Sequence, residues 1–109
     1  MSNEFVQTYV IEPQDPSVLS RTLSYDHVLE LCGGPLEIIG LRAATDDSHT
    51  LELCVGGDPT IYHPAHVFEL DGQRYVGTAV VMARNAAGEL VDIDVSVKWV
   101  TDRVRFPNG

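Results

Sequence analysis

The chain has 109 residues, and its 16 Asp and Glu against seven Lys and Arg give a formal net charge of −9. This length is enough for one core without metals or disulfides, so we expect residues 1–109 to form a single domain. The acidic excess argues against direct binding to nucleic acid, because Lys and Arg must replace the counterions of the phosphates. No apolar run is as long as a membrane span, and the N-terminus lacks the pattern of a signal peptide, so we expect a cytoplasmic protein that does not contact a membrane.

Two strands are predicted near the N-terminus. Residues 5–12 are rich in β-branched and aromatic side chains and are followed by Pro13 and Pro16, which cannot donate to a strand ladder. Residues 18–23 alternate weakly between apolar and polar side chains, which favours a short edge strand.

A short helix is predicted over residues 25–32. Ser24 is a good N-cap, and Asp26 places negative charge in the first turn, where the helix dipole favours it. Val28 and Cys32 follow at helical spacing. Gly33 then suits the position after the helix, where a left-handed conformation costs glycine little.

Three further apolar segments predict strands, namely residues 36–41, 50–55 and 67–70. The polar residues 45–49 predict a loop between the first two of these strands. Residues 60–66 support neither a helix nor a strand clearly.

Residues 74–84 give the strongest strand pattern, because both alternating sets of side chains are apolar or small, as in a strand covered on both faces. Asp71-Gly72 before this segment and residues 85–88 after it are turn sequences. We therefore predict a three-stranded antiparallel meander centred on residues 74–84, with a partner strand on each side. The side chains that we expect to be buried are Tyr75, Val76, Val80 and Val81.

The C-terminal segment allows two interpretations. Ile93, Val95 and Val97 alternate like a strand, whereas Val97, Val100 and Val104 have helical spacing. The β-branched residues favour a strand up to Val97. Trp99 and Phe106 are expected to be core aromatics. Taken together, these elements predict an α+β fold, a mostly antiparallel sheet of five or six strands with one short helix packed on a face.

Few residues suggest a catalytic or metal-binding role. Cys32 and Cys54 lack the spacing of a redox or zinc motif and are expected to be reduced, buried core residues. His63 and His66 could serve a metal-dependent enzyme with a loop aspartate, but zinc needs three or four converging ligands. No nucleophile elbow or phosphate-binding glycine loop occurs, so we assign no catalytic residue, no metal site and no cofactor.

The order of segments resembles the small phage and mobile-element proteins grouped as domain of unknown function 3846. The residues that carry this resemblance are the strand leading into Ile11-Glu12-Pro13, the helix closed by Gly33-Gly34, the strand over 36–41, Asp71-Gly72 with the apolar strand 77–81, and Gly88-Glu89-Leu90. The resemblance implies a phage or plasmid origin and transfers no catalytic residue. Such proteins usually close with a helix rich in acids and lysine, whereas residues 94–106 are rich in valine here.

The small size, the acidic charge and the resemblance favour a non-enzymatic protein–protein interaction module, a phage-encoded modulator or inhibitor of a host protein. A second hypothesis is a nucleotide-like small-molecule binder that acts as a homo-oligomer, and a third is the metal-dependent enzyme. The loop and histidine positions that we take as candidate ligand or partner contacts are Asp46, Asp47, His49, Asp58, Tyr62, His63 and His66.

Overall fold

The computed structural model describes residues 5–13, 15–32, 36–41, 49–56 and 67–107. Its elements in chain order are β1 (Val6–Glu12), β2 (Ser17–Leu23), α1 (Tyr25–Cys32), β3 (Leu36–Leu41), β4 (His49–Gly56), β5 (Val67–Leu70), β6 (Gln73–Val76), β7 (Ala79–Asn85), β8 (Leu90–Val91), α2 (Val97–Thr101) and β9 (Val104–Arg105). The α+β class is confirmed, as are the predicted helix and the strands β1 to β5. Neither helix in the described ranges has the length and apolar character needed to cross a bilayer.

The larger sheet has six antiparallel strands in the order β2-β1-β7-β4-β3, with β8 also pairing with β7. Strand β7 lies at its centre, and all residues from Ala79 to Ala83 are buried. The alternating side chains divide between two cores: Ala79, Val81 and Ala83 face one cluster, and Val80 and Met82 face the other. The two-faced apolar pattern read in the sequence is thus correct for this strand.

A second, three-stranded sheet of order β6-β5-β9 covers one face of the larger sheet. Phe68 and Leu70 of β5 and Val100 of α2 are buried in the same cluster as Leu53 and Val81. This cluster is the main core of the protein.

Helix α1 covers the opposite face of the larger sheet. Val28 and Cys32, one turn apart, are buried against Cys54 and Val80. Ser24 caps the helix as predicted, because its hydroxyl accepts a hydrogen bond from the His27 N–H at 3.4 Å. The three layers are therefore α1, the larger sheet, and the small sheet together with α2.

The predicted meander is confirmed only in its second hairpin, in which β8 pairs with β7. Its first hairpin is wrong, because residues 74–84 do not form one strand. The Asp71-Gly72 turn is present, with φ of 51° and 84° at the two residues. However, β6 pairs with β5 in the small sheet, whereas β7 pairs with β1 and β4 in the larger one. The break falls at Gly77, whose φ of 87° bends the chain from one sheet into the other.

Because of this break, only two of the four side chains that we expected to be buried are buried. Val80 and Val81 are fully buried, but Tyr75 and Val76 are only half-buried because they belong to the smaller sheet.

The predicted strand up to Val97 is also wrong. Ile93 and Val95 are buried without forming a strand, and α2 begins at Val97, with Ser96 as its N-cap. The alternation in the sequence arises because every second residue of this extended segment faces the core. Trp99 is partly buried against the main core, as is Phe106, in agreement with the core interpretation.

Candidate functional site

The candidate residues chosen from the sequence are not brought together by the described structure. Asp46, Asp47, Asp58, Tyr62, His63 and His66 lie outside the described residues. His49 begins β4, where its backbone pairs with Asn85. Within the ranges that are described, no three His, Cys, Asp or Glu side chains are grouped so as to hold a metal ion.

The structure instead shows a groove of about 600 Å³ between α1 and the β1–β2 hairpin. It lies on the face of the larger sheet that α1 only partly covers. Its lining residues are Val10, Glu12, Asp15, Ser17, Leu19, Arg21, Leu23, His27, Glu30 and Leu31.

Strand register and helix geometry explain this lining. In β2, Leu19, Arg21 and Leu23 share one face because successive side chains of a strand alternate. Val10 of β1 pairs with Leu19, so it presents its side chain to the same face and forms the buried floor. Helix α1 directs Val28 toward the sheet and leaves His27, Glu30 and Leu31 on the flank that faces β2.

Two leucines give the groove an exposed apolar surface. Leu19 on β2 is 42% exposed and Leu31 on α1 is 40% exposed. Both line the groove, with the half-buried Leu23 at one end. Single exposed leucines are common on protein surfaces, but two that line the same concave surface offer an apolar contact to a ligand.

The charged side chains are separated along the groove. Val10 pairs with both Leu19 and Val80, and Val80 pairs with Cys54, whose carbonyl lies 3.2 Å from the Cys32 Sγ. Helix α1 therefore starts beside the end of β2 at Leu23 and ends over Cys54 of β4.

Glu12 and Asp15 lie at the β1–β2 turn, whereas Arg21 and His27 lie toward the start of α1. Glu30, which directly precedes Leu31 on α1, lies at neither end. The groove therefore has an acidic end at the turn and a basic end at the start of α1, with Leu19 between them.

Two residues of the groove have fixed orientations. The Thr78 hydroxyl lies 3.0 Å from each carboxylate oxygen of Glu12. The Nδ1 atom of His27 lies 3.0 Å from the Ser24 hydroxyl, and the Phe5 ring lies 5.5 Å from the imidazole, centroid to centroid. These contacts reduce the conformational freedom that Glu12 and His27 would lose on binding a ligand.

Strand β2 is also an edge of the larger sheet, as predicted. On β1, the Gln7 N–H donates to Asp92 at 2.8 Å and the Gln7 carbonyl accepts from the Ile93 N–H at 3.1 Å, so this peptide faces away from β2. Because the pattern alternates in an antiparallel pair, Thr8 and Val10 bond to β2 through Arg21 and Leu19.

The N–H and C=O groups of Val18, Ser20 and Thr22 therefore point outward. Within the described ranges no backbone partner lies on that side, and Ser20 and Thr22 are exposed. A row of such groups is a template for pairing with another strand.

The buried cysteines are not part of this site. The Cys32 thiol donates to the Cys54 carbonyl at 3.2 Å, and both residues are fully buried beneath α1. The hydrogen bond with Cys54 and burial raise the pKa of Cys32 far above its usual value. A thiol in this state is a poor nucleophile. The prediction that both cysteines are core residues is confirmed, because both are buried.

A second, smaller cavity of about 370 Å³ lies beside the Asp71-Gly72 turn and β9. Its charges are largely compensated: Arg103 stacks on Trp99 with 4.0 Å to the ring centroid and lies 4.0 Å from Asp71, and Glu69 binds Arg74 at 3.0 Å. Charged side chains that already have partners gain little from binding a ligand.

Sequence analysis missed the groove, although part of its pattern was visible. The edge position of β2 and the helix that follows it were both predicted, and a tight β2–α1 connection places one flank of such a helix beside the strand. The sequence did not show the helix orientation that brings Leu31 of α1 beside Leu19 of β2 in one groove. Comparisons with protein-family models, curated proteins and solved structures find no match for this chain.

Proposed function

We propose that the protein is a non-enzymatic interaction module that binds an extended segment of a partner protein along β2. The outward backbone groups of Val18, Ser20 and Thr22 carry this proposal. An incoming strand would bond to them and place alternate side chains in the groove. Main-chain bonds supply affinity in such strand addition, and the neighbouring groove supplies specificity.

The chemistry of the groove supports binding over catalysis. Asp15, Arg21, His27 and Glu30 are exposed to solvent. Exposed charges beside apolar side chains suit recognition of another polypeptide.

The nature of the partner is part of the same proposal. The resemblance to small phage proteins suggests a host protein as the partner, and modulation or inhibition of that protein as the role. The net charge of −9 favours a partner surface that carries basic residues. A cytoplasmic location agrees with both points.

The test uses a proline in the outward-facing register of β2. In Ser20→Pro the lost N–H points to solvent, so the β1–β2 ladder is retained while the donor to an incoming strand is removed. Ser20→Ala is the matched control, because both variants lose the side-chain contact with Gln7 but only the proline lacks the N–H.

Peptides would be selected from a displayed library of random decapeptides against the wild-type protein. We expect the selected peptides to slow amide exchange of Ser20 and Thr22, to bind Ser20→Ala normally and to lose most affinity for Ser20→Pro. Enrichment of no peptide, or equal binding by the two variants, would refute strand addition at β2. Circular dichroism and thermal melting would establish that both variants are folded.

A small-molecule ligand is the second candidate. The groove volume of about 600 Å³ is within the usual range of ligand pockets, and Arg21 and His27 could face an anionic group. Native mass spectrometry of freshly purified protein tests this alternative together with its expected homo-oligomer. Bound mass that is lost in Arg21→Ala would favour it, and a bare monomer would remove it.

A further inference from the structure

The charge separation along the groove assigns a chemistry and a direction to the segment that binds β2. We infer that the segment carries an acidic, an apolar and a basic side chain at alternate positions and runs antiparallel to β2. This inference rests on the proposed function, because it assumes strand addition at that edge.

The alternation of side chains along a strand determines the spacing of the contacts between β2 and the bound segment. Leu23, Arg21, Leu19 and Ser17 present their side chains to the groove at successive alternate positions. Side chains of an added strand that face the groove are likewise two residues apart. One such side chain lies beside Arg21, the next beside Leu19 and Leu31, and the third beside the carboxylates at the β1–β2 turn.

Charge complementarity then determines which side chains the bound segment carries at these three positions. At the turn end Asp15 is an exposed carboxylate, and Glu12 is held by Thr78. Together they favour Lys or Arg on the ligand. The guanidinium of Arg21 favours Asp or Glu at the other end, where His27 also lines the groove. The leucines between them favour an apolar residue.

The order of residues in the segment follows from these contacts once the segment pairs antiparallel to β2. The strand runs from the acidic end at Ser17 to the basic end at Leu23. An antiparallel segment therefore meets Arg21 first and the carboxylates last, which gives the order acidic, apolar, basic, with one residue between each. Antiparallel pairing is the more stable arrangement per residue.

Two synthetic nonapeptides of identical composition test the inference. One contains Glu-Thr-Leu-Thr-Lys at its centre and the other Lys-Thr-Leu-Thr-Glu, with the same capped Ser/Thr flanks, so net charge and strand propensity are equal. At low ionic strength we expect the first to bind roughly tenfold more tightly in fluorescence anisotropy, because exchanging the ends replaces two attractive contacts by two repulsive ones.

The double variant Glu12→Gln/Asp15→Asn, which removes both carboxylates at the β1–β2 turn, should reduce this preference by at least half. Asp26→Asn, which removes one charge from α1 outside the groove lining, is the control and should leave it unchanged. Equal binding of the two peptides, or preference for the second, would overturn the inference. If library-selected peptides still depend on Ser20 in that case, strand addition itself stands; if they do not, both proposals fail.

Discussion

Gly77 is the residue at which the chain passes from the small sheet to the larger one, and replacing it by alanine tests this fold directly. Gly77 is buried and has a φ of 87°. An L-residue in the left-handed region costs about 1–2 kcal/mol. A methyl group added in a packed, buried setting costs about 1–3 kcal/mol more. We therefore expect Gly77→Ala to lower the free energy of unfolding by roughly 2–5 kcal/mol.

Two other glycines separate these contributions. Gly88 also has a positive φ, of 82°, but a Cβ placed there meets nothing within 4 Å, so Gly88→Ala should cost the conformational part alone. Gly40 has open space and no positive φ. Gly40→Ala should be neutral, or stabilising by up to about 1 kcal/mol, because alanine restricts the unfolded chain.

Urea denaturation followed by the fluorescence of Trp99, the single tryptophan, measures all three variants. At roughly 4 °C per kcal/mol for a domain of this size, Gly77→Ala should also melt about 8–20 °C lower than wild type. Equal stability of Gly77→Ala and Gly40→Ala would contradict the bend at Gly77. It would instead favour the continuous strand over residues 74–84 that the sequence pattern suggested.

The remaining predictions concern the two buried cores. The Tyr9 hydroxyl donates to the Val95 carbonyl at 2.6 Å, so Tyr9→Phe should lower stability by about 1–2 kcal/mol in urea melts. Burial raises the pKa of Tyr9 above 10.0, so the Tyr9 hydroxyl ionises first in the unfolded chain, and the free energy of unfolding should fall as pH rises above 10. This loss of stability with pH should be smaller in Tyr9→Phe. An equal dependence of stability on pH in the two proteins would contradict this prediction. Cys32 and Cys54 are fully buried, so neither should react with Ellman's reagent until the protein unfolds, and rapid reaction of the native protein would show that α1 does not cover them as described.

Local sequence determined most of the individual elements. The helix over 25–32 has a cap at Ser24 and apolar residues one turn apart, and both act within a few residues of each other. The turn at Asp71-Gly72 likewise depends on conformations that these two residues adopt readily. Burial of Val80 and Val81 followed from a strand with apolar side chains on both faces.

The tertiary structure decided how these elements pair. A run of apolar residues such as 74–84 has the same pattern whether it forms one strand or two, and only packing between sheets makes the bend at Gly77 favourable. Ile93 and Val95 alternate because the segment crosses the core in extended form, not because it joins a sheet. Local periodicity reports which side chains are buried, but not which partner buries them.

The same distinction explains the candidate groove. The sequence indicated β2 as an edge strand and α1 as the next element, but it could not show which flank of the helix faces the strand. The groove exists because Val28 and Cys32 attach α1 to the centre of the sheet, which leaves Leu31 and Glu30 beside Leu19. The charged residues that line it span 18 positions of the chain, from Glu12 to Glu30, and only strand register and helix orientation bring them to one surface.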